Sequence, residues 1–453
     1  EPLNLTIEGA IVMALENNQA LSVQEVSPAI SQTFVKEERS AFDLSLVGGY
    51  SWTEQHQYRD IHVQNSIDDP VTGDPTGAFV RVPVEADTET ESHSGTVGAT
   101  TYLPTGTDLS FTYYPGSAQT WNDSSKPSII APGTDTDNYA STLEFAVTQK
   151  LLRGAGLGVN LASLRQAKLA VLASEFELRG YAQDLVAQVE QGYWTYMLAQ
   201  RKIKIYEESL AVAQNQENEI EERIRIGRIA ETERAAAAAE VAQRRSSLID
   251  AKSNADKLRL ALLRLLNPSD EAWASKEIRL QTVPIAPEIK TDQVEDSVAI
   301  AKRMRPDLNQ ARLQIKRDDL AVVQTKNGLL PQLDLFIKLG QDLNRTEYAD
   351  SFQVARQDRR DKTVSTQVGA QFSYPIGNRA ARARDQRARL SRQQDERALA
   401  NMTQLAEQDV RQAYMEISRT QEQIVATAAT RRLQEQTLEA ETEKYRIGKS
   451  TVL

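Results

Sequence analysis

Two stretches of this chain repeat each other, and that repetition limits the folds open to it more than any other feature. Gln191-Gly192-Tyr193 answers to Gln412-Ala413-Tyr414, and Arg225-Ile226-Gly227 to Arg446-Ile447-Gly448, at one ungapped offset of about 221 residues. The apolar positions between them correspond as well. Leu178, Tyr181, Leu185, Val189, Gly192, Tyr196, Ala199 and Ile203 match Leu399, Met402, Ala406, Val410, Ala413, Ile417, Thr420 and Ile424. Their spacing alternates between three and four, which draws the narrow seam of a coiled coil rather than a broad globular face. Upstream, residues 7–21 resemble residues 294–308, and each stretch opens a helix, expected over 6–42 and 294–330. Pro331 closes the second, because proline cannot donate to a continuing helix.

After each of these helices the period changes from 3.6 to 2. Leu44, Leu46, Gly48, Tyr50 and Trp52 alternate with Asp43, Ser45, Val47, Gly49 and Ser51, and Leu333, Leu335, Ile337 and Leu339 with Gln332, Asp334, Phe336 and Lys338. Returning strands follow, through Leu143, Phe145 and Val147 in the first copy and Val364, Thr366, Val368, Ala370, Phe372 and Tyr374 in the second. Each run is about 9 to 11 residues, the length of a tilted bilayer-spanning strand. A half-buried soluble sheet shows the same alternation. Tyr50, Trp52, Tyr113, Tyr114, Tyr139 and Tyr374 near strand ends favour the membrane reading, as an aromatic girdle. No apolar run reaches the roughly 20 residues of a spanning helix, so a membrane crossing would require a β-barrel.

Between the first pair of strands, residues 60–92 are rich in proline, glycine and acid and read as an exposed loop. A further hairpin is signalled by residues 96–102, the turn Leu103-Pro104-Thr105-Gly106, and alternating Leu109, Phe111 and Tyr113. It either joins the wall or stands above it as a ribbon.

Long helical patterns then run over 158–227 and 379–448, roughly 70 residues or about 105 Å each. No globular core is that deep, so these helices must pack side by side as a coiled coil or tube. A return helix covers 231–266, and a segment interrupted by Pro284 and Pro287 covers 268–293. The first repeat is thus residues 1–293, with strands and loops over 43–150. The second is 294–453, with strands over 332–375 and no counterpart to the return helix.

This order, twice over, resembles the TolC-like outer-membrane efflux protein family. The likeness rests on the two N-terminal helix motifs, Leu330-Pro331-Gln332-Leu333, Gln149-Lys150-Leu151-Leu152-Arg153-Gly154, and the two Arg-Ile-Gly turns. It implies a mainly α fold with a β-barrel part, in which three copies close one transmembrane barrel and their helices form a tunnel across the periplasm. It also implies an exit duct of a tripartite efflux or type I secretion system, working with a periplasmic adaptor and an inner-membrane pump. The adaptor-contacting tips would be Arg225, Ile226 and Gly227 with Arg446, Ile447 and Gly448; a plain helix cap is the other reading of each arginine. The family's aperture carboxylates lie just beyond the second tip, where this sequence has no matching positions; Glu231 and Glu233 hold the comparable place in the first copy. A barrel of 12 strands is the preferred count, against 18 if the extra hairpin joins the wall. The rival reading is a periplasmic adaptor or coiled-coil scaffold without a barrel.

Arg379, Arg382, Arg384, Arg387, Arg389 and Arg392 cluster where the second long helix begins, and read as a basic collar at the membrane boundary or, more sharply, as a lumenal ring. His56, His62 and His93 show no metal-site spacing. Asp60, Asp68, Asp69, Asp74, Glu85, Asp87, Glu89 and Glu91 read either as holding a cation or, equally well, as an exposed charged loop. The chain has no cysteine and a net charge of −10, which exclude thiol chemistry and give no basic tract for nucleic acid. No nucleophile–base pair, phosphate loop or HExxH motif occurs, so neither catalysis nor a cofactor is expected. Glu1-Pro2-Leu3-Asn4 leads directly into a helical pattern, so an exported protein would be in processed form here.

Overall fold

The computed structural model describes residues 3–123, 136–228, 230–268, 273–275, 277–285, 294–345 and 362–447. In chain order its elements begin with β1 (Leu3–Leu5), α1 (Ile7–Asn17), α2 (Gln19–Glu25), α3 (Ser27–Ser40), β2 (Ser45–Asp68), β3 (Pro75–Leu103), β4 (Thr107–Asp123) and β5 (Thr136–Lys150). They continue with α4 (Leu157–Asn160), α5 (Ala162–Arg225), α6 (Thr232–Leu266), β6 (Ile278–Leu280), α7 (Val294–Met304), α8 (Pro306–Asn327), β7 (Gln332–Arg345), β8 (Lys362–Ser373) and α9 (Arg379–Arg446). Two compact units interleave along the chain. One holds Glu1–Thr33, Lys168–Lys316 and Gln393–Leu453; the other holds Phe34–Ala167 and Arg317–Arg392. Each unit draws on both copies of the repeat.

The two long helices, α5 of 64 residues and α9 of 68, begin in the second unit and run mostly through the first. At 1.5 Å per residue they extend about 96 and 102 Å. The first-copy seam does what its spacing predicts: Leu185, Val189, Tyr196 and Ala199 are buried against Leu262, Leu263 and Leu266 of α6, with Ala10, Ala14 and Leu21 of α1 and α2. Tyr193 is fully buried among them. In the second copy Ala406 is buried, whereas Ile424 is exposed. A short parallel pairing of β1 with β6 adds Leu5 and Ile278 to this core.

The expected helix over 6–42 is instead three helices. Asn18 makes the first break: its Oδ1 accepts from the Leu21 N–H at 3.0 Å, capping α2, while its Nδ2 donates to Leu265 O at 2.9 Å. A side chain that satisfies the backbone locally offers the chain an alternative to continuing the helix. The expected helix over 294–330 also divides, at Arg305, because Pro306 takes the first position of α8, where no N–H is needed.

The second unit is built on a six-stranded antiparallel sheet in the order β2-β3-β4-β5-β7-β8. The additional hairpin therefore joins the wall, between β2 and β5, and the preferred count of four strands per chain gives way to six. Its turn depends on Gly106, held at φ 93° with a would-be Cβ only 2.5 Å from Gly154 O. The run 60–92 is also not a loop for most of its length. β2 and β3 pair rung by rung out to Asp68 and Pro75, and the turn between them is closed by Asp69 N–H to Asp74 O at 2.8 Å. Among the described residues β3 has no partner other than β2 beyond Asp87. The pairing is carried by a regular backbone ladder that a composition rich in proline, glycine and acid conceals.

Candidate functional site

Strand pairing carries one face across the whole sheet. The rung of Leu46 passes through Ala99, Phe111, Phe145 and Leu339 to Thr366. The next one outward links Gly48, Val97, Tyr113, Leu143, Gln341 and Val364. Toward the end where the chain enters from α3, the face continues through Leu109, Val147, Ile337 and Val368, then Leu335 with Ala370, and Leu333 with Phe372. These are the alternating positions of the sequence, now on one surface. In the single chain they are open: Leu46 is 84% exposed, Val368 72% and Phe372 66%. A contiguous apolar face of this extent is foreign to a water-facing sheet and suits lipid. The opposite face is mostly polar, with Val47, Tyr114 and Phe336 as exceptions. One of its rungs reads Ser45, Thr100, Ser110, Ala146, Lys338 and Gln367. Across it, Thr142 donates to Asp342 at 2.7 Å, and Lys338 stands 3.8 Å from Glu144.

The aromatic residues bracket the apolar band. Trp52 and Tyr139 are brought to a single rung through His93 and Ser117, with Tyr50 two residues inside it. Tyr374 lies at the other end, just past β8, while Tyr113 falls within the band. Tyr114, its sequence neighbour, belongs to the opposite face. From Leu333 to Arg345, which share rungs with Phe372 and Tyr139, β7 advances about 12 residues or roughly 40 Å, equivalent to about 30 Å of membrane at a 40° strand tilt. That is the thickness of a hydrocarbon core.

At the first helical turn, α5 ends in a Schellman motif. Arg228 N–H bonds Arg223 O at 2.8 Å and Gly227 N–H bonds Ile224 O at 2.9 Å, with Gly227 at φ 72°. The backbone thus caps itself. Arg225 is exposed and turns to Glu222, leaving the helix-cap reading without a contact. Ile226 beside it is 60% exposed. Glu231 pairs with Arg234 at 2.7 Å, and Glu233 lies in the first turn of α6. At the second turn Ile447 is exposed and its N–H bonds Glu443 O at 3.2 Å; Gly448 and the Arg446 side chain lie outside the described residues.

Of the basic cluster, Arg379, Arg382, Arg384, Arg387 and Arg389 are exposed on the first turns of α9. Arg389 holds the buried Asp385 at 2.8 Å, and Arg392 reaches Asp319 on α8 at 2.5 Å. Sequence spacing gave the histidines no pattern, but pairing between β2 and β3 brings His56 to Glu54 and Glu89. No helix among the described residues is long and apolar enough to cross a membrane.

The family described as outer membrane efflux protein matches residues 119–268 and 298–453, more than half of the chain and one segment from each copy. Among solved structures, the fold is similar to that of a membrane protein from Pseudomonas aeruginosa, at 17% identity and a TM-score of 0.63, covering 98% of this chain and 84% of that one. The CmeC outer membrane channel of Campylobacter jejuni gives 16% identity and a TM-score of 0.65, covering 98% and 78%. The outer membrane protein VceC of Vibrio cholerae gives 15% and 0.64, covering 98% and 87%. No curated protein sequence matches the chain.

Proposed function

This chain belongs to the outer membrane efflux protein family and is an exit duct of the outer membrane, and we propose from that premise that three copies close one barrel, six strands from each. The observation that carries this reading is the apolar face shared by all six strands, together with the two edges it leaves. Among the described residues β2 pairs only with β3, and β8 only with β7. A sheet whose face enters lipid cannot leave edge N–H and C=O groups unpaired, because the hydrocarbon offers them no partner. Joining β8 of one copy to β2 of the next removes both edges. The number three follows the family resemblance and gives 18 strands rather than 12. Barrels of that size enclose an aqueous channel, and the polar face would line it.

The duct is passive, with an inner-membrane pump supplying the energy. Arg225, Ile226 and Gly227, with their counterparts Arg446, Ile447 and Gly448, form tips that a periplasmic adaptor engages. The Schellman geometry supports this, since it caps the helix through the backbone and leaves Ile226 exposed, with Arg225 exposed and held by Glu222. Glu231 and Glu233 stand next to the tip as aperture carboxylates, and the tips stay closed until the adaptor dilates them. The exposed arginines at the start of α9 form a collar against anionic headgroups.

Planar-bilayer recording tests the duct reading. Detergent-purified protein should insert and conduct ions as a trimer. A monodisperse monomer that stays soluble without detergent would contradict it.

A further inference from the structure

Just past the aromatic end of the apolar band, the same face of the sheet changes from apolar to ligating. Trp52 stands opposite His93, Glu54 opposite Glu91, and His56 opposite Glu89. Residues two apart on a strand share a face, so these six side chains form one surface. One ligand atom from each of Glu54, His56 and Glu89 lies within 4.8 Å of the others. His56 Nε2 is 3.1 Å from Glu54 Oε1. On the adjoining rungs His93 Nε2 is 3.5 Å from Glu91 Oε1, and the His93 ring is fixed from behind by the Tyr50 hydroxyl, 2.7 Å from Nδ1. Glu54 faces Glu91 as a like-charge pair across two strands, which a sheet disfavours, and Glu91 also accepts from Trp52 Nε1 at 2.6 Å.

We infer that the β2–β3 hairpin binds a divalent transition-metal ion of the zinc or nickel type through His56, Glu54 and Glu89. Imidazole combined with carboxylate is the donor set of such ions, whereas calcium and magnesium take oxygen donors alone. Atoms sharing a zinc ion at bond lengths of ~2.0–2.1 Å stand about 3.4 Å apart, which exposed side chains reach by rotating. His93 and Glu91 serve as neighbouring donors or orient the site. The ion joins the two strands near Asp87, the outermost β3 residue paired with β4 among the described residues. It thus acts as a clip on the register of the ribbon. The inference rests on the hairpin's own pairing and holds whatever number of copies closes the barrel.

The test is calorimetric titration of untagged, detergent-purified, EDTA-treated full-length protein with zinc chloride and, separately, calcium chloride. Zinc should bind at one ion per chain and weaken about tenfold or more in both His56→Ala and Glu89→Gln. Nickel should quench the fluorescence of Trp52, identified by its loss in Trp52→Phe. Circular dichroism confirms that each variant is folded; should His56→Ala not fold, Glu54→Gln takes its place. Absence of zinc binding would overturn the inference. So would zinc affinity unchanged by both substitutions, or calcium binding as tight as zinc and indifferent to His56→Ala, which would mark an acidic surface only.

Discussion

Tyr193 is fully buried in the helical core, and its hydroxyl does two things there. It donates to Leu5 O at 3.0 Å and accepts from Thr282 N–H at 3.1 Å, tying the β1–β6 pairing to α5. Removing the oxygen leaves both backbone groups without that partner in a buried place, so Tyr193→Phe should lower unfolding free energy by about 1–3 kcal/mol in urea titrations. In the sequence this tyrosine marked the repeat but not its task, because a hydroxyl's partner is set by tertiary packing. Its counterpart Tyr414 uses the same hydroxyl on Ser297 Oγ at 2.8 Å. The repeat thus preserves the residue and its direction while changing what it grips. Arg225 was legible at a helix turn, yet the cap reading could be separated from the partner-facing one only once the turn's backbone bonds were visible.

Elements that look alike in the two copies are held differently. α1 and α2 are bound by apolar burial, whereas the α7–α8 junction meets α9 through charges. Lys302 pairs with Glu407 at 2.7 Å, Arg411 with Glu295 and Glu407 at 2.9 Å, and Arg305 with Asp307 and Asp409 at 2.9 and 2.8 Å. Burial alone would raise Asp307, but hydrogen bonds from Arg305 and the Leu308 amide outweigh it and hold it below the ordinary carboxylate range. Glu407 is held low by hydrogen bonds from Lys302 and then Arg411. A carboxylate with a lowered native pKa stabilises fully above its unfolded value, about 4, and loses that contribution as pH falls through the native one. Glu407→Gln should therefore lower the melting temperature at pH 7, with the difference from wild type fading as scans are run at successively lower pH. A difference that persists at low pH would assign Glu407 a packing role. Strand faces, by contrast, were legible because the lipid face keeps a strict period of two. The helix break at Asn18 was not, since a capping asparagine resembles any polar position on an exposed helix face. Nor was the ribbon within residues 60–92, where the proline, glycine and acid content hides a backbone ladder.

At the scale of the whole molecule, the repeat and the long helices could be read directly, since one seam recurs at one offset. The strand count could not. A β3–β4 hairpin alternates in the same way whether it joins a wall or stands free, and only its pairing with β2 and β5 decides. Six strands with two open edges make closure by further copies the central claim, and the absence of cysteine makes it testable without background. Gly49 on β2 and Thr363, Ser365 and Gln367 on β8 belong to the polar face at those edges. The measurement is oxidative cross-linking in native membranes of Gly49→Cys combined in turn with Thr363→Cys, Ser365→Cys and Gln367→Cys. At least one pair should give a covalent trimer on a denaturing gel, with the dimer as its only intermediate. No cross-link between chains in any pair, or cross-linking that stops at the dimer, would contradict closure by three copies through β2 and β8.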